Sequence, residues 1–364
     1  MLEVRRLEGW GMVLEIDGRV WRCVLATGMI GVLANDVAAV RGQEVAVEAK
    51  VETEESPVAV AEVVSGAVAA DPYVPRDEVQ GALRIAGSQT MQQMVSLWAD
   101  RFQELHPGVK FELDCRGSEG ALPSLARGEA SLVALSRLLS NEEKAGIERE
   151  LGSTVTQVTV AWDALGVIVH PDNPIEGLSV SGGRLVLGGS ERADEISAWS
   201  GLGLSGEWAE VPLEIVGPGA VHGTRTWIDQ ILQGSGVGGR PLREAETRDE
   251  VIRRVASERG ALGFVSLSHG GLEPVRVLPI AGEDLRLRRP VDAEIVDRSY
   301  PLLRPLTLVT VKSPGDAEGG VTEEFLSYVL SRSGQEDVVK DGFYPLNRSE
   351  WRVQREQPGA TQER

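Results

Sequence analysis

The chain has 364 residues, is 42 % hydrophobic and 25 % charged, and carries a formal net charge of -18 at pH 7. That length gives room for roughly two to three domains with substantial cores, in proportions ordinary for a globular protein. The acidic balance excludes broad nucleic-acid binding, which needs a basic surface; it leaves open a small buried anion, for which local donors outweigh a distant field.

Residues 1–80 read as a small, mostly-β domain. Apolar runs at 13–16 and 20–25 flank Asp17-Gly18, a short hairpin signal. Residues 45–51 alternate with the period of a half-buried strand, and 58–64 is a further candidate. The expectation is a barrel or sandwich of about four to six strands, with residues 28–31 offering a helix start. Nothing here has metal spacing, a phosphate loop or a nucleophile arrangement, and acidic residues outnumber basic ones. The sequence assigns the domain no role of its own, and contact with a protein partner is one reading of it. Cys23 and Cys115 fall in different domains and define no redox compartment. Glu3, Glu8, Glu15 and Asp17 interrupt any apolar leader, and no run reaches the length of a membrane span. As written, the sequence predicts a cytoplasmic protein with no direct membrane insertion; a periplasmic or extracellular protein requires a leader missing from it.

Residues 67–81, with Asp71-Pro72 and Val74-Pro75, read as a linker. Beyond it the pattern becomes α/β. A short apolar strand at 83–86 ends at Gly87, and Ser88, Gln89 and Thr90 lead into Met91, Met94, Val95, Trp98 and Phe102 at helical spacing. A second strand, 109–113, ends in Gly117-Ser118-Glu119-Gly120; a third, 132–135, ends at Ser136-Arg137. Ser140 followed by Glu143 is a capping box for a helix to about Leu151. Parallel strands whose hydroxyl-rich ends feed helix starts collect donors along one sheet edge, which suits an anion.

Strand pieces at 155–160 and 165–169, separated by Trp162-Asp163-Ala164, predict a crossing from one lobe to another. Residues 178–183 predict a short helix, and 184–208 are poorly patterned. A strand at 213–216 enters a small-residue loop ending in His222-Gly223-Thr224, followed by a helix at 225–233. That repeats the strand, loop, helix order of the opening stretch. A helix at 247–259, strands at 261–265, 275–278 and 306–311, and a helix at 322–330 follow. The polar residues 349–364 read as a flexible tail. The four histidines lack metal spacing, the GSQT and GSEG loops lack the lysine of a nucleotide loop, and no serine has an evident base. The expectation is a non-enzyme without cofactor or metal.

Residues 82 to about 348 resemble the phosphate-binding substrate receptors of bacterial ABC uptake systems, which have the type II periplasmic-binding-protein fold. The fragments IAGSQTM, RGSEGAL, LVALSRLLSNEE, WDALGVIVHPDNPI, HGTRTWIDQIL, GALGFVSLS, YPLLRPLTL and GFYPL stand in the family's order. The resemblance implies two α/β lobes joined by crossover strands, lobe one from 82–163 and 290–348 and lobe two from 164–289. It implies phosphate or a similar oxyanion buried between them, and an ABC permease as partner. The resemblance implies Thr90 and the amide of Met91 in the first loop, Ser118 in the second, and Gly223 and Thr224 in the second lobe; the donors an oxyanion needs add Ser88, Arg137 as a bidentate contact, and His222 as a source of positive charge when protonated.

Three positions depart from the family pattern. Pro218 stands where an arginine is usual, His222 replaces a serine, and Ser131 replaces the acid that accepts phosphate's proton. Plainer readings stand beside the functional ones. Helix capping is the alternative role for Thr90 and Ser118, and a surface ion pair with Glu142 or Glu143 that for Arg137. The second function weighed is an intracellular sensory or scaffold protein with a modified or non-binding cleft.

Overall fold

In the computed structural model the described residues are 3–7, 11–16, 19–26, 29–33, 70–75, 79–180, 196–219, 223–228, 242–268, 270–290, 292–312 and 320–356. The chain divides into two compact units, Met1–Glu54 and Glu55–Arg364.

In the first unit, β1 (Glu3–Leu7), β2 (Gly11–Ile16), β3 (Arg19–Ala26) and β4 (Met29–Leu33) pair antiparallel in chain order. β2 and β3 pair outward from Ile16 and Arg19, as the hairpin signal predicts. The helix start expected at 28–31 is instead strand β4. Ile30 and Val32 favour extended backbone, and pairing with β3 decides the matter. The strands expected at 45–51 and 58–64 lie outside the described residues.

The second unit is built on a sheet of nine strands among the described residues. Its order is β11 (Arg243–Ala245), β10 (Glu214–Pro218), β12 (Ala261–Ser266), β8 (Thr154–Val169), β16 (Leu303–Lys312), β7 (Leu132–Leu135), β5 (Gly81–Gly87) and β6 (Val109–Asp114). β13 (Arg276–Val277) pairs with β8 off this path. A smaller sheet joins β15 (Leu287–Arg288), β14 (Ile280–Ala281) and β9 (Leu178–Ser179). Of the helix expected at 178–183, Leu178–Ser179 is strand β9, where buried Leu178 pairs with Ile280, and residues 181–183 lie outside the described residues.

In lobe one β5 lies parallel between β6 and β7, burying Leu83 and Ile85 on alternate positions. The helix Gln92–Leu105 turns Met94, Val95, Trp98, Ala99 and Phe102 onto this sheet. In lobe two β10 lies parallel between β11 and β12, and the helix Arg248–Ser257 buries Val251, Ile252 and Val255. The two strand pieces expected around Asp163 are the single strand β8. Its residues 154–164 pair with β16, and its residues 165–169 with β12. One strand thus leaves the first lobe's ladder and enters the second's, with Asp163 next to the change of partner.

The segment read as a linker is tied to lobe one. Tyr73 donates to Glu324 at 2.6 Å, lies 2.7 Å from His106 Nε2, and packs edge-on to Tyr328. The end of the chain also departs from the expected tail, since Arg348–Glu356 is helical. Its polar residues have buried work: Glu350 pairs with Arg298 at 2.8 Å, and Gln354 accepts the amide of Thr159 at 3.0 Å. No helix among the described residues is long and apolar enough to cross a membrane.

Candidate functional site

Strand ends and helix starts from both lobes meet at a cavity of about 280 Å³. Lobe one contributes Gln89 and Thr90. Lobe two contributes Pro218 at the end of β10, Thr224, the Thr247-Arg248 start of a helix, Ser266 at the end of β12 and Ser268 beyond it. Arg304, near the start of β16, closes the floor.

The floor is a buried ion pair. Asp163 and Arg304 are cross-strand partners in the β8–β16 ladder, and both side chains are fully shielded from solvent. Nε and Nη2 of Arg304 donate to Asp163 Oδ2 at 2.8 and 2.6 Å, and Nη1 donates to Thr224 Oγ1 at 2.6 Å. Ions taken out of water to this degree persist only when their geometry and hydrogen bonding are nearly complete. Two of the guanidinium's five N–H groups are not used in these three bonds. A second cation, Arg248, is held from the other side: Nε donates to the Ser266 carbonyl at 2.9 Å and Nη2 to the Gly270 carbonyl. Burial pulls the Arg248 pKa below the usual arginine range, an effect an anion in the cavity would offset. Thr247 caps the helix Arg248–Ser257 by accepting the Glu250 amide at 3.2 Å, which places the positive end of that helix at the cavity.

The residues expected from the sequence divide. Thr90 and Thr224 do line one cavity, and Gly223 opens the helix Gly223–Ile228 that carries Thr224. Ser88 stands behind the wall: buried to 1 %, it accepts the Thr90 amide at 3.2 Å and donates to Ser136 at 3.1 Å. It is the cap of the turn Gln89–Met91, and Thr90 lines the cavity. The Met91 amide, expected at the anion, donates instead to the Ser88 carbonyl at 3.0 Å to close that turn.

Arg137 is not in the cavity wall. It makes a bidentate bond to Glu143 at 2.7 and 2.8 Å, so the plainer reading of it holds. Burial opposes the charge on Glu143, but the hydrogen bonds from Arg137 and Ser140 keep its carboxyl below the usual carboxylate range. Ser118 begins the helix Ser118–Ala126 after Gly117; its side chain, and all of His222, lie outside the described residues.

Sequence reasoning passed over Arg304, Asp163, Arg248, Ser266 and Ser268. For the first two a signal existed. A charged residue inside the apolar runs VTVAWDALGVIV and LLRPLTLV must find a partner, because an unpaired buried charge is too costly. Arg248 had none, since its partners are the backbone carbonyls of Ser266 and Gly270, which no side-chain pattern marks. Pro218, which stands where the family pattern puts an arginine, lines the same cavity as Arg304 and Arg248, so the positive charge enters from other elements.

The fold and this cavity define a two-lobed solute-binding protein whose cleft is lined by hydroxyls, two arginines and Glu246. A family model described as a PBP superfamily domain matches residues 74–333. The phosphate-binding protein PstS of Pseudomonas aeruginosa is 30 % identical over 289 residues, covering 78 % of this chain and 90 % of that protein. The chain belongs to the PBP superfamily and, within it, to the family of the PstS proteins. PstS of Bacillus subtilis is 26 % identical over 275 residues, covering 74 % of this chain and 82 % of that one. Among solved structures, an ABC-type phosphate transport receptor from Vibrio cholerae superposes with a TM-score of 0.61 at 20 % identity, over 73 % of this chain and all of that one. PstS from Borrelia burgdorferi gives 0.53 at 20 % identity, covering 73 % and 99 %. At that identity the structures speak to the fold.

Proposed function

We propose that this chain binds phosphate or a closely related oxyanion between its lobes, as the solute receptor of an ABC-type uptake system. One observation carries the reading: Arg304, Arg248, Thr90 and Thr224 reach a single cavity from three parts of the fold. A desolvated oxyanion must recover most of its lost hydration from such donors, each charge-assisted one contributing about 1.5–3 kcal/mol. Family membership points the same way, since the Pseudomonas relative is named for phosphate binding. In this reading the protein binds and releases its ligand unchanged, acts outside the cytoplasmic membrane and passes the ligand to a permease. The antiparallel sheet of the first unit offers a partner-contact surface.

Calorimetric titration of the purified full chain with phosphate, arsenate, sulfate and molybdate tests the reading. We expect saturable binding of phosphate well below millimolar concentration. No heat from any of the four below that level would remove it.

A further inference from the structure

The turn joining β14 to β15 in lobe two holds a leucine in an unfavourable place twice over. Leu285 has φ +58, a left-handed conformation in which Cβ crowds the neighbouring carbonyl oxygen and which glycine adopts freely. Its side chain is 75 % exposed, more than any other large apolar side chain among the described residues. Nothing within the described chain compensates either feature.

The turn is nevertheless firmly built. The Leu285 amide donates to the Gly282 carbonyl at 3.1 Å. Asp284 accepts the Arg286 amide at 3.1 Å and the terminal nitrogens of Arg288 at 2.8 and 2.6 Å. Leu287 is seated against Gly177, where a Cβ would fall 2.5 Å from its Cδ2. With Asp284 neutralised by Arg288, the exposed Arg286 and Arg289 stand against Glu283 alone, and neither side chain has a hydrogen-bond or ion-pair partner among the described residues. In a chain of net charge -18, this tip is a locally basic spot with an apolar centre. None of its residues lines the ligand cavity.

A strained backbone is retained where it serves a contact, and an apolar side chain in water gains by burial in another molecule. Two free arginines fall short of the roughly four to eight basic residues that hold a protein to an anionic bilayer. They do suit carboxylates at set positions, which a guanidinium bonds bidentately, and a fixed turn helps only against fixed groups. We propose that this tip docks on the permease: Leu285 enters an apolar pocket on the permease's outer face, and Arg286 and Arg289 pair with carboxylates at its rim. The proposal rests on the receptor reading above for the identity of the partner.

The test uses the purified full chain, phosphate uptake into vesicles holding the permease of the same uptake system, and sedimentation of the chain with those vesicles. Leu285→Gly relieves the left-handed leucine while removing its side chain. It should raise the thermal denaturation midpoint, leave the calorimetric phosphate affinity unchanged, and lower both uptake and cosedimentation by roughly tenfold or more. Arg286→Glu with Arg289→Glu should lower both as far without affecting phosphate affinity. Unchanged uptake and cosedimentation in either variant would overturn the proposal. So would equal cosedimentation of the unaltered chain with vesicles lacking the permease, which marks a lipid surface, or a dimer of the unaltered chain that either variant dissociates, which marks a second copy. Phosphate binding by the unaltered chain with these losses absent removes this proposal alone; no phosphate binding and no uptake with the unaltered chain removes the receptor reading as well.

Discussion

Two arginines in this chain look alike in the sequence and differ in what holds them. Arg137 follows a strand end and precedes a capping box; Glu143, fixed by that box through the Ser140 amide at 2.8 Å, takes both of its terminal nitrogens. Arg304 sits inside an apolar strand, and Asp163 on the facing strand orients it toward Thr224 and the cavity. Arg137→Ala should therefore leave phosphate affinity within about twofold and lower stability by about 1.5–3 kcal/mol, the worth of a charge-assisted bond. Arg304→Lys keeps a charge for Asp163 but loses the planar fork, and should weaken phosphate by roughly tenfold or more. Calorimetry and thermal denaturation of both variants would check the pair; a large loss of affinity in Arg137→Ala would return that residue to the site.

Among the elements, the turn after β5 decides how close the first lobe's loop comes to the cavity. The Ser88 amide bonds the Ala134 carbonyl at 2.8 Å, and the Gly87 carbonyl accepts the Gly117 amide at 2.9 Å. This approach is open to glycine alone. Gly87 has φ +151, and a Cβ there would fall 2.1 Å from the Ala134 oxygen. Gly87→Ala should destabilise the protein by at least about 1–3 kcal/mol and weaken phosphate by shifting Thr90. Denaturant unfolding together with a phosphate titration would show both, and a variant with unaltered stability would contradict the packing described here. The crossing strands work at the same scale: β8 changes partner from β16 to β12 beside Asp163, so the ion pair lies where the lobes join.

For the whole molecule, the net charge of -18 opposes the approach of any anion at long range, while Arg248 and Arg304 act only within the cleft. Raising ionic strength from about 10 to about 150 mM shortens the screening length from about 30 to about 8 Å. That should suppress the distant repulsion more than the local attraction. Phosphate association, followed by stopped-flow tryptophan fluorescence, should speed up over this range. A rate that falls with salt would mean the cleft's own field dominates capture.

How much was legible in advance varies with the kind of interaction. Alternation in β5, helical spacing from Met91 to Phe102, the Ser140 capping box and the Asp17-Gly18 hairpin signal are local, because each depends on residues a few positions apart. The sequence by itself thus determined the lobed α/β plan, the strand-end loops and the placement of Thr90 and Thr224. It did not determine that Ser88 would cap the turn Gln89–Met91, that Arg137 would turn to Glu143, or that residues 348–356 would form a helix over lobe one. Those outcomes, and the meeting of Asp163, Arg304, Ser266 and Ser268, were decided by tertiary structure. The partners lie as far as 141 residues apart, and a buried polar group pairs with whatever the fold brings beside it, which local pattern does not encode.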